Sequence, residues 1–258
     1  MTNKSQRGSQ WRRWDLHLHT PETKLANAYV TDDSDVWEKY LDALEASSVQ
    51  VFGVTDYFSC DNYFKLVEKY GTRFSDGKKV FFPNIEFRLL ETVSKDNKNI
   101  HTHVIFDNDP AACSREQIEG FLGKLDTHIS GPDDTKLSCK ELVGDGQIAS
   151  ATVLMDHLVE ALKKTFGKNQ PYLIITAANN DGLKEVDTKS PRKTTMSDEL
   201  DKSSHAFFGN SKNTPWFLRD DRYENAEIPS DQKPVFSGSD AHSFDDLERL
   251  SGDVTNFP

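Results

Sequence analysis

His17 and His19, in Asp15-Leu-His-Leu-His-Thr-Pro21, are separated by one residue. On a strand, residues i and i+2 share a face. Both imidazoles can then reach one metal ion through neutral ring nitrogens. Alone, His-x-His is a weak signal, but other apolar runs of the chain reinforce it. Asp56 ends Gly53-Val-Thr-Asp, and Glu86 lies in Pro83-Asn-Ile-Glu-Phe-Arg88. His101 and His103 lie in Ile100-His-Thr-His-Val-Ile-Phe106, and Asn179 and Asn180 follow the run 172–178. Asp240 and His242 close Phe236-Ser-Gly-Ser-Asp-Ala-His. Five of the eight histidines fall in these motifs, a concentration that chance placement rarely produces. Imidazoles and carboxylates together are the donor set of a divalent-metal site, in which the carboxylates offset the charge of the ion.

Such residues need a frame that brings them together. Seven apolar or alternating runs read as strands: 14–19, 49–55, 79–87, 99–106, 172–178, 204–209 and 235–238. Helical patterns lie between most of them. They cover 35–47 with Ser34 or Asp33 as N-cap, 61–70 stopped by Gly71, and 114–125 capped by Ser114. Two more cover 150–166, stopped by Gly167, and 244–250 after Ser243. Segments 131–146 and 187–203 read as loops or weak helix. Alternating strands and helices imply βαβ units and a parallel sheet. In a parallel barrel the strand ends meet on one face, where catalytic residues gather.

A chain of 258 residues with 36% hydrophobic and 10% aromatic content can bury one large core, and one barrel domain over 11–258 is expected. Residues 1–10 are polar, lack the apolar stretch of a secretory signal, and read as a disordered tail. No apolar run approaches the roughly 18 residues of a membrane span. Three cysteines without Cys-x-x-Cys spacing argue against a disulfide framework and fit a reducing cytoplasm. The net charge of -11 lacks the basic footprint of a stand-alone nucleic-acid binder. Two local basic segments, 7–13 and 184–193, are read as solvated surface, the second being the better candidate for a polyanion contact.

The motifs Asp15-Leu-His-Leu-His-Thr-Pro21, Val54-Thr-Asp56, Ile85-Glu86, His103-Val-Ile105 and Ser239-Asp-Ala-His242 resemble those of PHP (polymerase and histidinol phosphatase) domains, in family order over residues 15–242. Details such as Trp11-Arg-Arg-Trp-Asp-Leu-His17 and Ile85-Glu-Phe-Arg88 look most like the N-terminal PHP module of TrlF-type proteins. The resemblance implies an α/β fold, a distorted (β/α)7 TIM-like barrel with its metal site at the C-terminal strand ends. It implies a metal-dependent phosphoesterase, in the nearest subgroup a nuclease working with an SMC- or AAA-like ATPase in DNA metabolism or phage defence. The chain is then a short protein or the N-terminal part of a longer one. Oligomers fit the resemblance too.

The resemblance also implies roles. Two divalent ions, Mn2+, Zn2+ or Mg2+, are expected. His17, His19 and Asp240 would hold the first, Glu86 would bridge, and His103 with Asn179 would hold the second. His242 would ligate or protonate the leaving group, Asp56 would ligate or orient a histidine, and Arg88 would bind phosphate or form a surface or structural salt bridge. Departures from the family pattern limit the count. The loop 21–33 has no histidine, Tyr57 stands where the family has one, and Asn179 stands where histidine is frequent. A third ion is therefore not expected. His101 reads as a supporting or core residue, His157 as core or interface, His128 as surface, His205 as structural and Tyr57 as packing. Alternatives are a phosphatase for a nucleotide or histidinol phosphate, and a degenerate docking module. An amidohydrolase barrel also begins with His-x-His, but its late Asp after an eighth strand and its bridging lysine are not evident.

Overall fold

The computed structural model describes residues 12–30, 35–179, 181–183, 186–225 and 227–247, and the backbone of 248–251. Along the chain these form β1 (Arg13–His19), α1 (Val36–Ala46), β2 (Val49–Tyr57), α2 (Asp61–Arg73), β3 (Val80–Arg88), β4 (His101–Phe106) and α3 (Arg115–Leu122). There follow β5 (Asp126–Ser130), β6 (Lys136–Ser138), α4 (Asp145–Ser150), α5 (Met155–Phe166), β7 (Tyr172–Ala177), α6 (Pro191–Ser203), β8 (Ala206–Phe208), α7 (Thr214–Phe217), β9 (Val235–Phe236) and α8 (Phe244–Ser251). Seven strands make one sheet in the order β1-β2-β3-β4-β7-β8-β9. The segment after β9 returns to β1: Asp240 N–H donates to the His17 carbonyl at 2.9 Å and His19 N–H to the Ala241 carbonyl at 3.1 Å. The sheet is thereby nearly closed into a barrel flanked by helices, an α/β TIM-like architecture. Among the described residues no helix is long and apolar enough to cross a membrane.

One strand corrects the all-parallel expectation. β4 runs antiparallel to both β3 and β7. The connection 89–100 carries no helix, so β4 turns back beside β3 instead of crossing over. His101 and His103 consequently lie at the start of β4, which is the same end of the barrel as the C-termini of its neighbours. Glu86 faces His103 in register, and Arg88 faces His101.

Alternation then sorts side chains. Leu16, Val51, Ile105, Ile175, Ala206 and Phe208 form an apolar plug inside the barrel. Further along the same inward rows come His17, Tyr57, Asn84, Glu86 and Arg88, with His103 and His101 on the reversed strand. β1 carries one extra residue between Asp15 and Leu18 relative to β2. This bulge lets Leu16 and His17, adjacent in sequence, both turn inward while Leu18 packs outside with α1. The bulged backbone presses on β2, where a Cβ on Gly53 would lie 2.2 Å from the Leu16 carbonyl oxygen. Gly53→Ala is expected to destabilise the protein by about 2–3 kcal/mol, because the obstacle is backbone. Urea unfolding measures this, and an unchanged midpoint would contradict the packing described.

The helices correct several expected bounds. Asp35 caps α1, its carboxylate accepting from the N–H of Trp37 and Glu38; the expected caps Asp33 and Ser34 lie outside the described residues, as do the tail 1–10, Asn180 and Lys184. Gly71 does not stop α2, which continues to Arg73. Ser114 caps α3 through a capping box with Gln117. The helix expected over 150–166 begins only at Met155, as α5; Ser150 ends α4, and the stretch between is extended and pairs with Leu89 through Val153. Segment 187–203 contains α6, with proline at its first turn. Segment 131–146 supplies β6 of a small hairpin with β5. Cys60, Cys113 and Cys139 are buried free thiols.

Candidate metal centre

At the open end of the barrel, a cage of donor atoms falls into two groups that share His17, one of His17, His19 and Asp240 and one of His17, Glu86 and His103, the atoms of each lying within 4.8 Å of one another. His17 Nε2 and His19 Nε2 are 3.3 Å apart. Glu86 Oε2 is 3.4 Å from each. Asp240 Oδ1 is 3.0 Å from His17 Nε2 and 3.5 Å from His19 Nε2. Glu86 Oε2 is buried and has no hydrogen-bond partner. A buried carboxylate oxygen left bare among imidazole nitrogens is costly unless a cation satisfies it. These residues therefore fit a divalent ion, and the nitrogen–oxygen donor set suits Zn2+ or Mn2+.

Electrostatics point the same way. Burial alone would lower the His17 pKa, but the Asp240 and Glu86 carboxylates outweigh it and push the value up to about 10. Burial would raise Glu86, yet His101, His17 and His19 hold it well below the usual carboxylate range. Asp240 is likewise held well below its ordinary value against its own desolvation, by His17 first and then His19. The cage thus attracts a cation, which is a proton when no metal is bound.

Surrounding groups fix the ligand orientations. Thr23 Oγ1 pairs with His19 Nδ1 at 3.1 Å, leaving Nε2 for the cage. Asn84 donates its amide to the Leu16 carbonyl at 2.8 Å, so its oxygen faces His103 Nδ1 at 3.3 Å. That sets the His103 tautomer with Nε2 unprotonated. Burial, then His17, keeps His103 neutral, well below the ordinary histidine value. Asp15 accepts from the N–H of His17 (3.2 Å) and Ser239 (3.0 Å), tying the Asp240 loop to β1. Tyr29 and Tyr40 both donate to the His19 carbonyl, at 3.0 and 2.9 Å. Asp240 itself has φ +52°, a left-handed conformation that a non-glycine residue seldom adopts. Its side chain is 60% exposed and forms the open lip of the cage.

The structure distributes the remaining expected residues as follows. His103 lies within 4.8 Å of His17 and Glu86 donor atoms. His101, expected in support, places Nδ1 2.7 Å from Glu86 Oε1. Arg88 stands at the mouth, donating to the Ile148 and Ala149 carbonyls and lying over the Tyr57 ring. His242 stacks on His19 at 4.0 Å, but its Nε2 faces the Tyr57 hydroxyl at 3.3 Å. Two expectations are corrected. Asn179 is not at the cage: it forms a reciprocal amide pair with Asn213, 2.8 Å in both directions. Asp56 continues the outward row of Phe52 and Val54, accepts from Tyr57 N–H at 3.0 Å, and burial pushes its carboxyl up to about 7. Strand alternation is the reason, because Tyr57 takes the inward place. His157 is exposed, not core, while His128 is exposed as expected. Asn84 has no role in the sequence reading and Tyr57 only a packing one, although their i±2 spacing to Glu86 and Thr55 marks the inward rows. Thr23 carries no such signal.

No family model and no curated protein matches the chain. Two solved structures resemble it in overall shape. One is a chain from Bifidobacterium adolescentis assigned as a metal-dependent phosphoesterase, with TM-score 0.38, 10% identity, and coverage of 94% of this chain and 98% of that one. The other is an amidohydrolase from Chromobacterium violaceum, with TM-score 0.47, 10% identity, and coverage of 95% and 92%. At such distances the chemistry of the centre is read from its own side chains.

Proposed function

We propose that this chain is a metal-dependent phosphoesterase acting on phosphodiesters, with a nucleic acid as the favoured substrate. The bare, buried Glu86 Oε2, 3.4 Å from both His17 Nε2 and His19 Nε2, carries the reading. An ion held by His17, His19, Glu86 and Asp240 would supply a Lewis acid, able to generate a nucleophile near neutral pH and to offset charge on phosphoryl oxygens. Arg88 positions the anion: only one of its terminal nitrogens has described hydrogen bonds, and Tyr57 supports the guanidinium plane. Tyr57 holds a proton on its hydroxyl, since burial raises its pKa far above the ordinary value. That hydroxyl donates to His242 Nε2 at 3.3 Å and holds the imidazole beside the centre. The Asp240 side chain at the lip is 60% exposed, and a centre open on that side suits an extended polymer. The acidic chain steers a polyanion poorly, which supports a second region or subunit to hold it. The ATPase partner rests on the sequence resemblance.

The test compares metal-loaded and dialysed protein on bis-p-nitrophenyl phosphate, p-nitrophenyl phosphate, DNA and RNA oligonucleotides, and a panel of amides. Metal-dependent diester cleavage exceeding monoester cleavage is expected. Arg88→Ala should raise KM for diesters at least tenfold with metal content unchanged. Amide hydrolysis alone, or no hydrolysis with any divalent ion, would remove the proposal.

A further inference from the structure

We infer that the cavity between α6, α7 and the C-terminal ends of β7 and β8 takes a nucleobase of the substrate, and that its carboxylate favours bases carrying an exocyclic amino group. The inference rests on the phosphoesterase reading and adds to it a site for a base near the cleaved phosphodiester.

The cavity has a volume of about 660 Å3, within the range of ligand pockets. Ala178 and Asn213 belong to its barrel-side wall. Ala178 directly follows β7, and its N–H donates to the Phe208 carbonyl at 2.7 Å. The Phe208 ring in turn lies 4.8 Å from the His103 ring and 5.5 Å from the His17 ring. The cavity therefore sits at the same end of the barrel as the metal centre, one strand layer away. Its lining suits a planar heterocycle. Trp216, 48% exposed, and Tyr223 contribute aromatic rings, and the Arg219 guanidinium lies over the Trp216 ring, 4.8 Å from its centroid. Unstacked bases are held on such rings and read along their hydrogen-bonding edges. Asp198 supplies an edge partner. Its Oδ2 accepts from Glu224 N–H at 2.9 Å, while among the described residues its Oδ1 has no hydrogen-bond partner. A carboxylate only accepts, so it pairs with the amino group of cytosine or adenine and meets an oxygen in uracil or thymine. The wall is rigid for a reason that the metal centre does not explain. Buried Asp201 pairs with Arg222 Nη2 and with Lys233 Nζ, each at 3.0 Å. Arg222 also donates to the Phe217 carbonyl at 2.9 Å and to the Asp231 carbonyl at 2.8 Å. These ties clamp α6, α7 and the segment 218–233 together. A preformed slot loses less conformational entropy when it is filled.

The full chain, dialysed free of metal, is titrated with cytidine, adenosine and uridine by calorimetry and saturation-transfer NMR. These nucleosides lack phosphate, so the metal centre does not compete for them. Saturable binding is expected, with cytidine and adenosine at least about fivefold tighter than uridine. Trp216→Ala should weaken cytidine binding at least about fivefold, the low end of what one stacked base contributes. Trp216→Phe, which keeps a ring, should stay within about threefold. Asp198→Asn should erase the preference for the amino bases. With metal restored, the ratio of kcat/KM for cytidylyl-cytidine to that for bis-p-nitrophenyl phosphate should fall at least about fivefold in Trp216→Ala. No saturable binding, equal affinity for uridine, or binding indifferent to Trp216→Ala would overturn the inference, while hydrolysis of bis-p-nitrophenyl phosphate would still uphold the phosphoesterase reading. Cytidine monophosphate cleaved faster than cytidylyl-cytidine would assign the cavity to a free nucleotide and overturn the inference as well.

Discussion

Glu86→Gln is expected to lower metal content below about one tenth of an equivalent and diester hydrolysis by at least a thousandfold. The substitution keeps the shape of a side chain that is 2% exposed but removes the one anion buried between His17, His19 and His101. With the charge gone, Asp240 alone faces the two imidazoles, from the solvent side. Loss of a ligand in such a cage removes both a donor and half of the compensating charge. His128→Ala is the matched control. His128 lies in the small hairpin, where its Nδ1 accepts from Thr152 N–H at 3.1 Å, and neither metal nor activity should change. Circular dichroism and thermal melts confirm that each variant is folded. Stoichiometric metal with full activity in Glu86→Gln, or equal losses in both variants, would refute the assignment.

Metal removal should lower the melting temperature, and the gap should widen as pH rises from about 6.5 towards 10. In the metal-free cage the Asp240 and Glu86 carboxylates outweigh desolvation and push His17 up to about 10, above the ordinary histidine value of about 6.5. A group whose folded pKa is raised stabilises fully below its unfolded pKa and loses that contribution as pH climbs through the folded one. The dialysed protein therefore loses stability across this window. The metal-loaded protein does not, because the ion replaces the proton. Near pH 6 the two forms should converge, since protons compete with the ion for the imidazoles. At a free-metal concentration of about a hundred times Kd, the linkage contributes about 2.7 kcal/mol. For a domain of this size that is about 5–10 °C. Differential scanning fluorimetry of dialysed and reconstituted protein between pH 6 and 9.5 measures the effect. A constant gap, or one that narrows with pH, would contradict the described electrostatics.

The sequence by itself determined the periodic pattern. Runs rich in β-branched and aromatic residues mark all seven barrel strands, and α1, α2, α3 and α8 follow from their apolar spacing and flanking caps. It also singled out His17, His19, Glu86 and Asp240 as candidate ligands, since period two places the histidines on one strand face and the acids stand at other strand ends. Tertiary structure alone decided the direction of β4, because periodicity is blind to strand sense and only the helix-free connection 89–100 reverses it. It decided that Asn179 pairs with Asn213, a contact across 34 residues that no local pattern encodes. It turned Asp56 outward and Tyr57 inward, because the rows packed against α1 and against the barrel interior fix which parity is which. And it brought Asp240 over His17 and His19, since the close approach of two segments more than 200 residues apart depends on closure of the whole sheet.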